Sequence, residues 1–384
     1  APDAPAIPSD PEGGEAVLAL RVAIADAVSR APEASSVEAM RQLRVIVLRP
    51  DGEVEVNYLA DFGDEAPAEY LGVFRLAPSE DKTVYAIANP SSTRFPFDSY
   101  PVGSRGLAEA LDTYEYDFDP ALPIAMTDSR EVDAARLLPG ERSDVSLNIV
   151  RVAAKFTVEV VNRRDEPVTL ESFAISSLAS RQYLMPRFTG SDGRHIVNTQ
   201  GLKGFDFGNA ADLHWSDWLR LAVDESQAAP DDELLADRRG WIMLYGVPDA
   251  AAHSPRPFDF TPIEIPRGGT ARLPARYFAE SRSGLIADSS FGLGAADGQE
   301  QSYTYDITFR SSQGGLKTFS AMPLPNLRAL FRNTHVRVLL EIHQTKVITE
   351  VRVLPYVAVD LHPEFGWDSL PDTDPLPDPD LPSR

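Results

Sequence analysis

The sequence predicts an all-β protein built as two β-sandwich domains in tandem, with few short helices. Apolar and polar residues alternate in many short runs, which is typical of half-buried strands. Clusters of Gly, Pro, Asn and Asp separate these runs and predict turns rather than helices. With 384 residues, 43% of them apolar, the chain is long enough and apolar enough to fill two cores.

The first strand is predicted over residues 16–24 (AVLALRVAI). Its core-facing side is aliphatic at every second position: Leu18, Leu20, Val22 and Ile24. The run is interrupted at Ser29, Arg30, Ala31 and Pro32, where an exposed loop would place Arg30 within reach of a trypsin-like protease. Cleavage there would detach a strand that contributes to the core, and the vacated groove would have to be refilled.

The rest of the first domain, predicted over residues 15–143, consists of short strands and turns. Residues 42–49 and 53–59 are expected to pair across the turn at Asp51 and Gly52. Further strands are predicted at residues 71–76 and 82–88, and a single helical turn at residues 106–111. Residues 1–14 are rich in Pro and Asp, so we interpret them as an N-terminal linker.

A second domain with long loop insertions is predicted over residues 144–355. We expect a first hairpin from residues 145–161 and 168–176, and another from residues 303–310 and 315–320. Two well-alternating runs, at residues 335–342 and 346–354, form the last predicted strand pair. The region 180–302 between them is rich in Gly and Pro and is interpreted as loops, which in a sandwich lie at its ends.

A short extension follows Pro355, over residues 356–367. Its apolar residues recur with strand periodicity and then continue beyond a proline: Tyr356, Val357, Val359, Leu361, Phe365 and Trp367. Two interpretations remain open, a projecting segment that pairs with another molecule and a last strand that folds back on its own domain. The Pro-Asp-rich residues 368–384 cannot bury apolar surface and are interpreted as a flexible acidic tail.

Composition argues against several classes of function. With 58 acidic and 36 basic residues, the surface field is negative, which disfavours nucleic acid and anionic lipid as partners. The chain has no cysteine, so disulfides and thiolate nucleophiles are excluded. We find no Gly-x-Ser-x-Gly elbow and no pair of histidines at metal-binding spacing. No catalytic residue, metal ligand or cofactor is therefore assigned, and the chain is not expected to be an enzyme.

Several segments, in this order along the chain, carry a resemblance to a known family. They are residues 16–49, with the alternating strand, the Arg-Ala loop and a Val-rich strand; 122–129, with a Pro-x-x-Met-Thr-like pattern; 148–160 (NIVRVAAKFTVEV); 331–338 (FRNTHVRV); and 351–356 (VRVLPY). Together they resemble the fimbrillins, the Bacteroidetes-type (type V) pilins.

This resemblance implies a set of expectations. The domains would be transthyretin-like sandwiches of Greek-key type, and the protein a structural subunit of a surface pilus (fimbria). It would be exported as a lipoprotein precursor, tethered to the outer membrane by a lipidated cysteine upstream of Ala1. An Arg-specific extracellular protease would cut between Arg30 and Ala31 and remove the first strand. Residues 356–367 of another pilus subunit would then fill the groove by donor-strand exchange.

The acidic tail, residues 368–384, is not typical of stalk subunits. A tip or accessory adhesin, an anchor subunit of the same pilus and a glycan-binding surface lipoprotein therefore stay open as alternatives. In the first of these, the loops of region 180–302 would bind a host protein or a glycan.

Overall fold

A computed structural model describes residues 14–25, 36–176, 178–189, 196–197, 245–246, 255–282, 303–312, 315–325, 327 and 329–355. The strands of the first half are β1 (Ala16–Ile24), β2 (Gln42–Leu48), β3 (Val54–Asp61), β4 (Glu69–Leu76), β5 (Lys82–Ala88), β6 (Glu115–Asp117), β7 (Met126–Val132) and β8 (Arg142–Arg151). One helix, α1 (Leu107–Asp112), and short 3₁₀ turns at Pro90–Thr93, Phe97–Ser99 and Ala134–Arg136 complete this half. The prediction of an all-β protein with few short helices is confirmed.

Among the described residues of the second half, the strands near its two ends are longer than those between them. They are β9 (Ala153–Asn162), β10 (Val168–Ser176), β11 (Arg181–Tyr183), β12 (Arg187–Thr189), β13 (Ile196–Val197), β14 (Tyr245–Gly246), β15 (Arg256–Pro257), β16 (Ile263–Ile265), β17 (Thr270–Arg272), β18 (Arg276–Ala279), β19 (Ser281–Arg282), β20 (Thr304–Ser311), β21 (Leu316–Pro323), β22 (Ala329–Leu330), β23 (Thr334–Ile342) and β24 (Val347–Pro355).

The first half contains a seven-stranded sheet of order β3-β2-β5-β7-β8-β1-β4. This sheet folds back on itself, and the first core lies between its two parts. The fold-over occurs within β8, because its residues up to Ile149 pair with β1 while Val150 and Arg151 pair with β7. Inward side chains of β1, β2, β5 and β8 meet in one apolar cluster. The predicted pairing of β2 with β3 is confirmed, and the predicted helical turn is α1.

The second core lies between two sheets, β17/β18-β9-β23-β24 and β15/β16-β10-β20-β21. The predicted pairs β20–β21 and β23–β24 are confirmed. The predicted hairpin of residues 145–161 with 168–176 is wrong, because β9 and β10 lie in opposite sheets. The reason is the turn between them, where the Asn162 amide donates to the carbonyl oxygens of Glu166 and Ile265 and turns the chain across the sandwich instead of back alongside β9.

A single residue, Val152, connects β8, the last strand of the first half, to β9, the first strand of the second half. This residue is fully buried, and its N–H donates to the carbonyl oxygen of Ala125 at 3.0 Å. Strand β8 belongs to the first sheet, so the change of sheet comes after Arg151. The division of the chain into domains stays a prediction.

A buried ion pair joins the halves next to this residue. Arg332 and Glu280 have fully buried side chains, and their closest atoms are 2.8 Å apart. The Arg332 guanidinium also donates to Thr127 Oγ1 on β7 at 3.3 Å, and Gln182 donates to Glu280 at 2.8 Å. The guanidinium therefore contacts both halves of the molecule at once.

We predict that Glu280→Gln lowers the free energy of unfolding by about 3 to 5 kcal/mol, because it leaves the Arg332 charge buried without its counter-charge. Urea unfolding followed by circular dichroism measures the change. The matched control is Glu350→Gln, which removes a surface pair with Arg352 at 2.6 Å in which both side chains are about half exposed. The control is expected to change stability by no more than about 0.5 kcal/mol. Equal effects of the two variants would contradict the prediction.

Candidate functional site

Strand β1 lies in the middle of its part of the sheet, with a partner along each side. It runs antiparallel to β4 from Ala16 opposite Leu76 to Ala23 opposite Glu69. It runs parallel to β8 from Val17 opposite Arg142 to Ile24 opposite Ile149. Among the described residues, β4 forms strand pairs with β1 alone, so β1 is what connects β4 to the sheet.

The inward side of β1 is almost completely removed from solvent. Exposure is 3% or less at each of five alternate positions: Ala16, Leu18, Leu20, Val22 and Ile24. The last four are the residues that the sequence predicts to face the core, and all of them belong to the first apolar cluster. If β1 were absent, an apolar groove one strand wide would remain between β4 and β8, with a row of unpaired backbone groups on each wall.

Several residues predicted to carry function lie outside the described residues. The segment 26–35, with Arg30 and Ala31, is one such stretch, and residues 356–384 are another. The second stretch contains the candidate donor residues Tyr356, Val357, Val359, Leu361, Phe365 and Trp367. The described chain ends at Pro355, which pairs with Thr334 beside the junction of the two halves.

The chain resumes after residue 35 in a firmly held segment. Glu38 is 4% exposed, lies 3.3 Å from Lys155 Nζ and accepts a 2.6 Å hydrogen bond from the Tyr277 hydroxyl. Asn89, buried on the other side, donates to the Ala39 carbonyl oxygen and accepts from the Arg41 N–H. Because Lys155 and Tyr277 belong to the second half, this segment is anchored to both halves just before β2 begins. Sequence reasoning missed the anchor, since no local pattern marks Glu38.

Arg44, a basic residue within β2, is protected from proteolysis. Arg44 is 8% exposed, and its guanidinium donates to Asn57 at 2.9 Å and to Asp98 at 3.0 Å. A protease needs an extended, accessible segment around the bond that it cuts. Burial in a central strand denies it this segment at Arg44, whereas the processing site at Arg30 stays a prediction.

The described residues offer little for other kinds of site. They contain no group of three or more His, Cys, Asp or Glu residues able to hold a metal ion. No helix among them is long and apolar enough to cross a membrane. His335 lies in β23, where its Nε2 is 2.8 Å from Thr157 Oγ1.

A partly buried carboxylate lies beside the groove wall where β7 and β8 separate. The Asp128 carboxylate accepts hydrogen bonds of 2.8 Å from the backbone N–H groups of Ser129 and Asn148. Asn148 in turn lies opposite Ala23 of β1. Burial raises the pKa of Asp128 to about 6 and outweighs these hydrogen bonds, which lower it.

No protein-family model matches the chain, and no curated protein matches its sequence. Among solved structures, it is similar to the tip fimbrial protein Mfa3 of Porphyromonas gingivalis with C-terminal truncation (12% identity, 89% of this chain and 100% of that one, TM-score 0.47). It is also similar to a fimbrilin (FimA) from P. gingivalis W83 (10%, 91% and 99%, TM-score 0.46). A third is a fimbrial assembly protein from Parabacteroides distasonis (12%, 89% and 100%, TM-score 0.43).

The similar structures are thus fimbrial proteins, as the sequence resemblance predicts. At such low identity they say nothing about what this chain binds.

We predict that Leu20→Ala lowers the free energy of unfolding by about 2 to 5 kcal/mol, because it opens a cavity among fully buried neighbours. The matched control is Leu71→Ala on the neighbouring strand β4, where the side chain is 61% exposed. We expect the control to lie within about 0.5 kcal/mol of the wild type. Chemical denaturation of the uncleaved chain measures both values, and similar losses would show that β1 is not part of the core.

A second prediction concerns pH. A carboxyl group whose pKa is higher in the folded than in the unfolded state binds its proton more tightly when folded. The Asp128 contribution to stability therefore decreases as pH rises from about 4 to about 6. Asp128→Asn is expected to remove this part of the pH dependence, while Asp144→Asn on β8, 75% exposed, keeps it. Urea midpoints measured across this range test it, and an unchanged slope in Asp128→Asn would contradict it.

Proposed function

We propose that this chain is a structural subunit of a surface pilus, made as a precursor in which β1 fills its own groove. Removal of β1 by an Arg-specific protease would open the groove, and a strand of a neighbouring subunit would replace it. The observation that carries this proposal is the position of β1: it is paired on both sides and buried in the core, yet it precedes a short segment that contains Arg30.

The energetics favour replacement over an empty groove. Burial of Leu18, Leu20, Val22 and Ile24 contributes on the order of 1.5 to 3 kcal/mol each, so roughly 6 to 12 kcal/mol together. Loss of β1 also leaves β4 without the strand partner it has among the described residues. An incoming strand restores both the apolar contacts and the backbone hydrogen bonds, as in other cases of strand addition to a sheet.

The contact that results is directional. The groove belongs to the first half of one subunit, and the donor that we propose, residues 356–367, follows the last strand of the second half of another. An interface between two different surfaces does not close on itself in a pair, so repeated addition generates a filament. The anchor at Glu38 supports this scheme, because β2 stays attached to both halves when β1 leaves.

The remaining parts of the proposal come from the sequence resemblance. They are export as a lipoprotein precursor, tethering to the outer membrane by a cysteine upstream of Ala1, and location in a fimbrium at the cell surface. Other pilus subunits and an Arg-specific extracellular protease would be the partners. We assign no enzymatic activity and no cofactor.

Limited trypsin treatment of the purified chain tests the proposal. We expect a new N-terminus at Ala31, release of residues 1–30 and higher-order species by size-exclusion chromatography and electron microscopy. Arg30→Ala should abolish the Ala31 terminus and stay monomeric, because β1 remains in its groove. The control Arg239→Ala, in the region 180–302, should behave like the wild type.

The result also separates the alternatives. Assembly by Arg30→Ala to the same extent as the wild type would refute the processing site. A tip adhesin would lose β1 without assembling with itself, and an anchor subunit would keep β1 uncut. A glycan-binding lipoprotein would show neither change and would be retained on a sugar affinity column.

A further inference from the structure

The residues that line the groove differ in size from level to level along β1, and the inward side chains of β1 differ in size with them. We number five levels along the groove, one for each inward residue of β1. At the first level, Ala16 lies opposite Leu76. Two hydrogen bonds join the start of β1 to the turn beside it, from Gly140 N–H to the Glu15 carbonyl oxygen and from Val17 N–H to the Glu141 carbonyl oxygen. Ala16 is fully buried and so is Leu76, so a larger side chain at position 16 has no free space. The first level therefore admits only a small residue.

The next two levels have one small wall each. Leu18 lies between Phe74 on β4 and Ser143 on β8. Leu20 lies between Gly72 on β4 and Val145 on β8. At the first of these levels a leucine complements the missing bulk of Ser143. At the second, the wall on the β4 side consists of the Gly72 backbone and the Tyr70 ring that lies over it.

Position 72 is kept small by its own strand. The ring of Tyr70 lies over Gly72, so a Cβ atom at position 72 would approach the ring to 2.7 Å. A larger residue at 72 would have to displace Tyr70, which packs against the first core and lies 6.0 Å from the Phe62 ring. The narrow wall at this level is therefore a fixed property of the groove.

At the fourth level the lining residues on β4 and on β8 are both large. At the fifth level the lining residue is on β8. Val22, smaller than its leucine neighbours, lies between Tyr70 and Leu147. Ile24 lies opposite Ile149, and its N–H donates to the Ala68 carbonyl oxygen at 3.0 Å. The five levels thus require a small residue, two leucine-sized residues, a valine-sized residue and an isoleucine-sized residue.

We propose that this groove accepts an incoming strand in one register only, and that its partner is an extended segment of a neighbouring subunit whose inward side chains fit this order of sizes. This inference rests on the proposed function for the identity of the partner. A slip by two residues keeps the apolar face inward, so alternation alone does not prevent it. The size order does prevent it, because a slip in one direction puts a leucine against Leu76 and a slip in the other puts a leucine between Tyr70 and Leu147.

The same requirement ranks candidate strands. Residues 356–367 offer Val357, Val359 and Leu361 at alternate positions, but the next position in that series is Pro363. Proline has no N–H for a central strand and interrupts the ladder there. A strand with this sequence fills three levels, whereas the sequence of β1 fills five.

The first test uses the uncleaved chain and exchanges residues without changing composition. Ala16→Leu combined with Leu18→Ala is expected to lower the melting temperature, because it places the larger side chain at the first level, opposite Leu76. The outward control, Val17→Ala combined with Ala23→Val, exchanges two partly exposed residues and should melt like the wild type. An inward exchange that melts like the wild type would overturn the size order.

The second test uses the trypsin-cleaved wild-type chain and synthetic nine-residue peptides. A peptide with the sequence of residues 16–24 is expected to be captured at least about tenfold more tightly than the same peptide carrying the Ala16→Leu and Leu18→Ala exchange. A peptide of residues 356–367 should also be captured more weakly than that of residues 16–24. Equal capture of the three would overturn the inference.

The two tests separate this inference from the proposed function. If the inward exchange destabilises the uncleaved chain and the cleaved chain captures no peptide, release of β1 is wrong and the size order stands. If the cleaved chain captures all peptides alike, strand replacement stands and the single register is wrong. An inward exchange that prevents folding altogether leaves the peptide comparison to decide.

Discussion

Pairing of β1 on both sides is the interaction on which the first half of this molecule depends. The strand connects β4 to β8 and supplies five buried side chains to the core between them. A strand at the edge of a sheet can be lost with one ladder of hydrogen bonds, whereas a strand in this position takes two ladders and part of the core with it. Its position therefore makes it costly to remove and makes the resulting groove strongly receptive to another strand.

The structure separates this strand sharply from the parts that stay in place. Glu38, buried against Lys155 and Tyr277, fixes the chain to the second half before β2 begins. The Arg332–Glu280 pair holds the halves together from the other side of the junction. Both are buried ion pairs with additional hydrogen bonds, the form in which a buried charge is tolerated and in which loss of one partner is most damaging. Neither pair includes a residue of β1.

The sequence predicted the inward face of β1 and the three strand pairs with short connections, because alternation and turn residues are local signals. It did not predict that β1 runs parallel to β8, since a pairing between distant segments leaves no trace in either segment alone. For the same reason it paired β9 with β10, where alternation correctly marked the buried residues but could not show that the chain crosses between sheets. The walls of the candidate site were out of reach: Gly72 and Tyr70 gain their meaning only from β1 beside them.

The single buried residue between β8 and β9 has a mechanical consequence. A strand lodged beside β8 is hydrogen-bonded to a backbone that passes through Val152 directly into β9, which is itself paired with β23 along its length. Tension applied to such a strand would reach the second core through the backbone of Val152, because no flexible linker separates β8 from β9. The two halves would then carry a pulling force together and would not extend away from each other first.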